Sequence, residues 1–155
     1  MIEHAPGIFG REPLEKSYAD DLLANLPAEM SLSQQILTFN GREVPMPRLT
    51  GWYGEPDAVY TYSGLRNVPN PWTPSLLALR KHLEMTLETP LNSCLANLYR
   101  DGSDSIGWHS DNEPELDKMI VSISLGAERT FEIKPNGTKI QSSRLLGWFM
   151  DPSSR

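Results

Sequence analysis

After residue 92 the pattern of this chain changes to strands, with alternation over residues 94–99 and 119–125. Met119, Val121, Ile123 and Leu125 fall on one face of an extended segment, with Ser122 and Ser124 on the other. Residues 129–134 read as a further strand. The earlier half carries two helical patterns. Tyr18, Leu22, Leu23 and Leu26 share one side of a helix over residues 15–26, which Pro27 is expected to stop. Leu76, Leu79, Leu83 and Leu87 mark a second helix, with Thr73 as N-cap, Pro74 at the first helical position and an end before Pro90. Residues 32–39 read as a strand closed by an Asn40-Gly41 hairpin turn, and 58–62 as another strand. The Pro- and Gly-rich residues 45–57 read as a loop, and 67–74 is too interrupted by proline for regular structure. Helices followed by a run of strands predict an α+β fold, a β-sandwich backed by helices.

The chain has 155 residues, room for a single domain, and its 39% hydrophobic and 22% charged content is that of a globular protein. No apolar run reaches the roughly 18 residues of a membrane span. The N-terminus lacks the basic start and apolar stretch of a signal peptide. The single cysteine, Cys94, rules out an internal disulfide and fits a reducing cytoplasm. The net charge of −6 argues against an overall basic surface for nucleic acid. It leaves open a local basic face from Arg42, Arg48, Arg66, Arg80 and Lys81.

Chemistry concentrates in residues 97–115, NLYRDGSDSIGWHSDNEPE. His109 and Asp111 are two apart and share a face in extended chain, so an imidazole and a carboxylate are offered to one divalent metal. Asn97 and Tyr99 share a face for the same reason and offer an amide and a phenol as donors to a carboxylate. Asp101-Gly102 and Gly107 supply the turns between the two pairs. A plainer reading makes His109 a hydrogen-bonded loop residue and Asn97 and Tyr99 ordinary strand residues.

The run N-x-Y-x-D-G-x-D-x-I-x-W-H-x-D-x-E resembles the core signature of AlkB-type nucleic-acid dealkylases. Other segments match in order. Phe39-Asn40-Gly41 followed by Pro47-Arg48-Leu49-Thr50 resembles the family's finger hairpin and the Pro-Arg segment after it. Tyr53-Gly54 and Tyr60-Thr61-Tyr62-Ser63-Gly64 resemble its nucleotide-recognition lid. Pro71-Trp72-Thr73-Pro74 resembles the entry to its central helix, and Ser122 to Phe131 the strand pair after the metal loop. The resemblance covers residues 30–134 of a single domain over 1–155. It implies a double-stranded β-helix (jelly-roll) core backed by the N-terminal helices. It implies an iron(II)/2-oxoglutarate dioxygenase that uses oxygen to demethylate N-alkylated bases of DNA or RNA. His109 and Asp111 would be iron ligands, and Asn97 and Tyr99 would contact 2-oxoglutarate. Tyr62 would stack on a flipped base, Asn112 and Glu113 would lie at its edge, Phe39 would fill the gap in the duplex, and Arg48 would contact the nucleic-acid strand. Tyr62 as core and Arg48 as a solvated charge are the plainer alternatives.

The pattern breaks near the C-terminus. The family's facial triad needs a second histidine, yet His4, His82 and His109 are the only histidines and none follows His109. His82 sits within the second helical pattern and reads as a helix-surface residue, and His4 reads as part of a loose terminus. The family's closing Trp-x-His and R-x-N-x-T-x-R segments have no match in residues 137–155, where Leu145 to Met150 reads as one strand. The last core strands are therefore expected to be missing, whether by frameshift, by division of the protein or by degeneration. A weakly active or inactive enzyme, poorly soluble or a monomer where soluble, is expected. A noncatalytic nucleic-acid-binding homologue, or an oxygenase acting on another substrate, is the alternative.

Overall fold

The structure, a computed structural model, describes residues 2–5, 8–10, 14–62, 65–109, 120–132 and 148–149. Helix α1 (Lys16–Glu29) starts where the Glu15 carboxylate accepts the Tyr18 N–H at 3.2 Å. Leu22 and Leu26, one turn apart, are its buried positions. Pro27 does not stop it: the helix runs on to Glu29 with the proline inside its last turn. At that place a proline removes only one hydrogen bond, and Met30 N–H still closes the turn on the Leu26 carbonyl at 2.9 Å. The end is also anchored from outside. The Glu29 carboxylate accepts Ser75 N–H at 2.9 Å and Ser75 Oγ–H at 2.7 Å, so the last residue of α1 caps the first turn of helix α2 (Pro74–Leu87). Those bonds, the backbone one foremost, hold the Glu29 carboxyl below the usual range.

Helix α2 begins as expected, with Thr73 Oγ1 accepting Leu76 N–H at 3.3 Å and Pro74 in the first turn. It ends at Glu88, whose φ of 52° is left-handed. Leu76 and Leu79 are buried against Leu22, Leu26 and Tyr53, with Leu83 packed beside them. His82 lies exposed on this helix with its ring 5.6 Å from that of Tyr18, the surface placement expected of it.

Strands β1 (Ile2–Ala5) and β2 (Ile8–Gly10) pair antiparallel, so His4 belongs to a strand and not to a loose end. Strands β3 (Ile36–Phe39) and β4 (Arg42–Pro45) form the expected hairpin. Asn40 and Gly41 have φ of 51° and 74°, the two left-handed residues that a tight hairpin turn requires. The strand predicted from residue 32 begins only at Ile36; upstream, Ser33 makes an isolated bridge to Thr50.

The main departure is β5 (Leu49–Gly54), which lies inside the segment read as a loop. It is buried or half-buried at every position and pairs residue for residue with β8 (Ser93–Leu98). Its glycines are sites of close approach, not turns. A Cβ on Gly51 would lie 2.9 Å from Leu32 Cδ2 and from the Ser31 carbonyl, and one on Gly54 would lie 2.7 Å from the Asn92 carbonyl. Tyr53, expected in a nucleotide-recognition lid, is instead the centre of the core at 2% exposure. Its phenol accepts Ser31 N–H at 2.6 Å and donates to the Ser31 carbonyl at 3.2 Å.

Strands β6 (Tyr60–Tyr62) and β7 (Leu65–Asn67) form a further pair, fixed to β5 where Trp52 Nε1 donates to the Ala58 carbonyl at 2.7 Å and its ring meets Tyr60 at 4.4 Å. Residues 120–125 are not a strand despite their alternation. Ile120 and Ile123 are exposed, and no ladder forms beside them among the described residues. Pairing occurs one step later, between β9 (Ala127–Glu128) and β10 (Trp148–Phe149). Residues 129–132 are irregular where a strand was expected, and 133–134 lie outside the described residues. The described elements thus make a mixed α+β protein of two helices and five two-stranded antiparallel sheets. These pairs alone do not trace a double-stranded β-helix.

Candidate active site

The β5–β8 pair has two unlike faces. Tyr53, Cys94 and Ala96 pack on the helices, and burial pushes the Cys94 thiol up to about 11. By the period of two, Thr50, Trp52, Leu95 and Asn97 line the opposite face, with Thr50 opposite Asn97 in register. Arg48 enters β5 on that same side. It is only 6% exposed, so it is not a solvated surface charge. Its Nε donates to Asn97 Oδ1 at 2.9 Å. Among the described residues no carboxylate forms an ion pair with Arg48. Thr50 is also buried, and its hydroxyl meets no hydrogen-bond partner among the described residues. A buried cation without a counter-charge and a buried hydroxyl without a partner both cost stability unless something polar meets them.

Tyr99 follows the strand immediately. Burial raises its phenol above the usual tyrosine range, while the charges of Arg48 and Arg129 pull it back. The Arg129 guanidinium lies 5.0 Å above the Tyr99 ring and donates to the carbonyls of Asp101 at 3.2 Å and Asp104 at 2.5 Å. Asp104, 3% exposed, ties the next loop together. Its carboxylate accepts Arg100 N–H at 2.9 Å and the Arg100 fork at 2.8 Å on each oxygen, which holds its carboxyl down to about 2. Asp101 makes the expected turn by accepting Ser103 N–H at 2.8 Å. The loop is joined to β5 where Ser105 N–H meets the Pro47 carbonyl at 2.8 Å.

This braced loop leads to His109, which is exposed. Its Nδ1 lies 2.8 Å from the Gly107 carbonyl. A carbonyl only accepts, so in the neutral ring Nδ1 carries the proton and Nε2 the lone pair. That tautomer presents Nε2 as the nitrogen able to ligate a metal. Asp111, Asn112 and Glu113 lie outside the described residues. Phe39 closes β3 opposite Arg42, and Tyr62 closes β6 opposite Leu65; only their backbones are described. Among the described residues no three His, Cys, Asp or Glu side chains gather as a metal cluster. Thr50, Asp104 and the role of Arg129 escaped the sequence reading. Alternation from Tyr53 would have put Thr50 on the face away from the core, had β5 been recognised as a strand.

Residues 6–146 match the 2OG-Fe(II) oxygenase superfamily. The chain belongs to this family. An oxygenase of this family uses iron(II) and 2-oxoglutarate, and Arg48, Thr50, Asn97 and Tyr99 fit the second: a cation, a hydroxyl, an amide and a phenol suit a carboxylate. His109 suits the first. Among curated relatives, the chain is 43% identical over 119 residues to alpha-ketoglutarate-dependent dioxygenase alkB homolog 3 of Mus musculus, covering 75% of this chain and 41% of that protein. It is 42% identical over 119 residues to the Homo sapiens protein of the same name, covering 75% and 41%. It is 34% identical over 132 residues to DNA oxidative demethylase ALKBH2 of Homo sapiens, covering 82% and 51%. The chain thus spans between two fifths and about half of these relatives. No helix among its described residues is long and apolar enough to cross a membrane.

Proposed function

We propose that this chain carries the cosubstrate side and part of the metal site of an oxidative demethylase acting on N-alkylated bases of DNA or RNA. The observation that carries the reading is the polar face of β5–β8. There Asn97 and the Thr50 hydroxyl, which has no hydrogen-bond partner among the described residues, share the strand face of a buried arginine, and Tyr99 follows directly, in a chain 34% identical to a DNA oxidative demethylase. Asn97 and Tyr99 would hold 2-oxoglutarate, and His109 with Asp111 would hold iron. Bound iron, with 2-oxoglutarate and oxygen, would supply hydroxylation of the N-methyl carbon, after which formaldehyde leaves the restored base. The protein's own contribution is placement. The Arg100–Asp104–Arg129 brace fixes the loop between the two pairs, and Gly107 sets the His109 tautomer.

The substrate residues are proposed from their positions. Phe39 lies at the tip of a hairpin whose second strand is exposed at all four positions, a placement that suits contact with a duplex. Tyr62 ends the short β6 strand held by Trp52 and would stack on a base outside its helix; Asn112 and Glu113 would meet that base's edge. Leaving the stack costs a few kcal/mol, which stacking offsets. The jelly-roll core and a single oxygenase domain throughout the chain are part of the same proposal, supported by the extent of the family match.

The test is formaldehyde release from N-methylated oligonucleotides. The reading expects release that needs iron(II) and 2-oxoglutarate and is lost in His109→Ala. Oligonucleotide binding that is salt-sensitive, survives chelator and survives His109→Ala, with no release at all, would support a noncatalytic binding protein instead.

A further inference from the structure

We propose that Arg48 is a positioning residue for the cosubstrate, acting by fixing which end of the Asn97 amide faces it. The proposal rests on the cofactor reading of the β5–β8 face. A side-chain amide has a donor end and an acceptor end, and rotation by half a turn exchanges them. A carboxylate is met only by the donor end. A guanidinium has no acceptor, so the Asn97 atom 2.9 Å from Arg48 Nε must be the oxygen. The Asn97 NH2 is thereby turned away from Arg48 and held ready to donate. Without Arg48 both orientations would be open, and the wrong one would set an oxygen against the ligand's oxygens.

Two further observations point to an anion on this face. Arg48 is buried with no paired carboxylate among the described residues, a state that an arriving negative charge relieves. Thr50, opposite Asn97 in register, presents a buried hydroxyl that lacks a partner among the described residues. A strand-contacting role for Arg48 fits less well, because a residue 6% exposed presents little of itself to a nucleic-acid backbone.

The test uses the full chain with manganese(II), titrated with 2-oxoglutarate by calorimetry and, separately, with a single-stranded oligonucleotide at several salt concentrations. Arg48→Gln is expected to weaken 2-oxoglutarate by about tenfold, the size of one lost charge-assisted hydrogen bond, and to leave oligonucleotide affinity and its salt slope unchanged. Arg48→Lys, which keeps a donor and the charge, is expected to fall between. In the Asn97→Ala background Arg48→Gln should cost clearly less than in the unmodified chain, because only the arginine's charge and no longer its hold on the amide is then lost. The Asn97 side-chain amide resonances should shift in Arg48→Gln even without ligand. A fall in the salt slope with unchanged 2-oxoglutarate affinity would make Arg48 a phosphate contact and overturn the proposal. An equal loss with and without Asn97 would also overturn it. If the unmodified chain binds no 2-oxoglutarate while the amide resonances still respond to Arg48→Gln, the cofactor reading falls although the Arg48–Asn97 coupling stands.

Discussion

Replacing Tyr53 by Phe removes one oxygen atom from the centre of the core and nothing else. The ring remains, so no cavity opens around Leu22, Leu26, Leu76 and Leu79, and the change isolates the polar end. That oxygen serves both backbone groups of Ser31, accepting its N–H at 2.6 Å and donating to its carbonyl at 3.2 Å. Phe leaves both without this partner. One orphaned group costs about 1–3 kcal/mol where water is excluded, and Ser31 is exposed enough to recover part of this. A net loss of about 2 kcal/mol is expected, which for a chain of this size lowers Tm by roughly 4–8 °C. Urea and thermal melts followed by far-UV circular dichroism would measure it, and an unchanged m-value would show that the unfolded state is unaffected. A loss below about 0.5 kcal/mol would refute the reasoning, because Tyr53 would then not be the pin that holds the start of the strand region against β5.

Gly51→Ala should destabilise by about 1–3 kcal/mol, because its Cβ would press on the Ser31 carbonyl as well as on side chains; a thermal melt equal to the unmodified protein's would contradict a strand here. Asp104 titrates near 2, below its unfolded value, so its contribution is complete above about pH 4 and is lost as pH falls toward 2. Acid unfolding followed by fluorescence should therefore show Asp104→Asn less stable than the unmodified chain at neutral pH, with the difference shrinking toward pH 2. A difference that grows on acidification would reverse the assignment.

Much of the first half was legible because its signals are local. Thr73-Pro74 and the leucine spacing specify α2 through backbone geometry and one buried stripe, and Asn40-Gly41 specifies a hairpin through two left-handed residues. Strand β5 was not legible for the opposite reason. Gly51 and Gly54 read as turn residues, whereas their small size answers atoms of Ser31, Leu32 and Asn92, which are distant in sequence. Pro27 misled because the helix end is held from Ser75, also out of local view. The alternation over 119–125 predicted a strand, but alternation supplies a face and not a partner to pair with. In the candidate site, Asn97, Tyr99 and His109 stood out by motif. Arg48 was expected to face the nucleic acid, and its burial against Asn97 follows only once β5 is placed beside β8.

The most direct test of the central claim is a manganese(II) titration of the full chain by electron paramagnetic resonance, with and without 2-oxoglutarate, repeated on His109→Ala and Asn97→Ala. The account predicts that 2-oxoglutarate tightens metal binding in the unmodified chain, that His109→Ala abolishes binding, and that Asn97→Ala keeps the metal but loses the tightening. Identical titrations for all three proteins, or metal binding indifferent to 2-oxoglutarate, would contradict it.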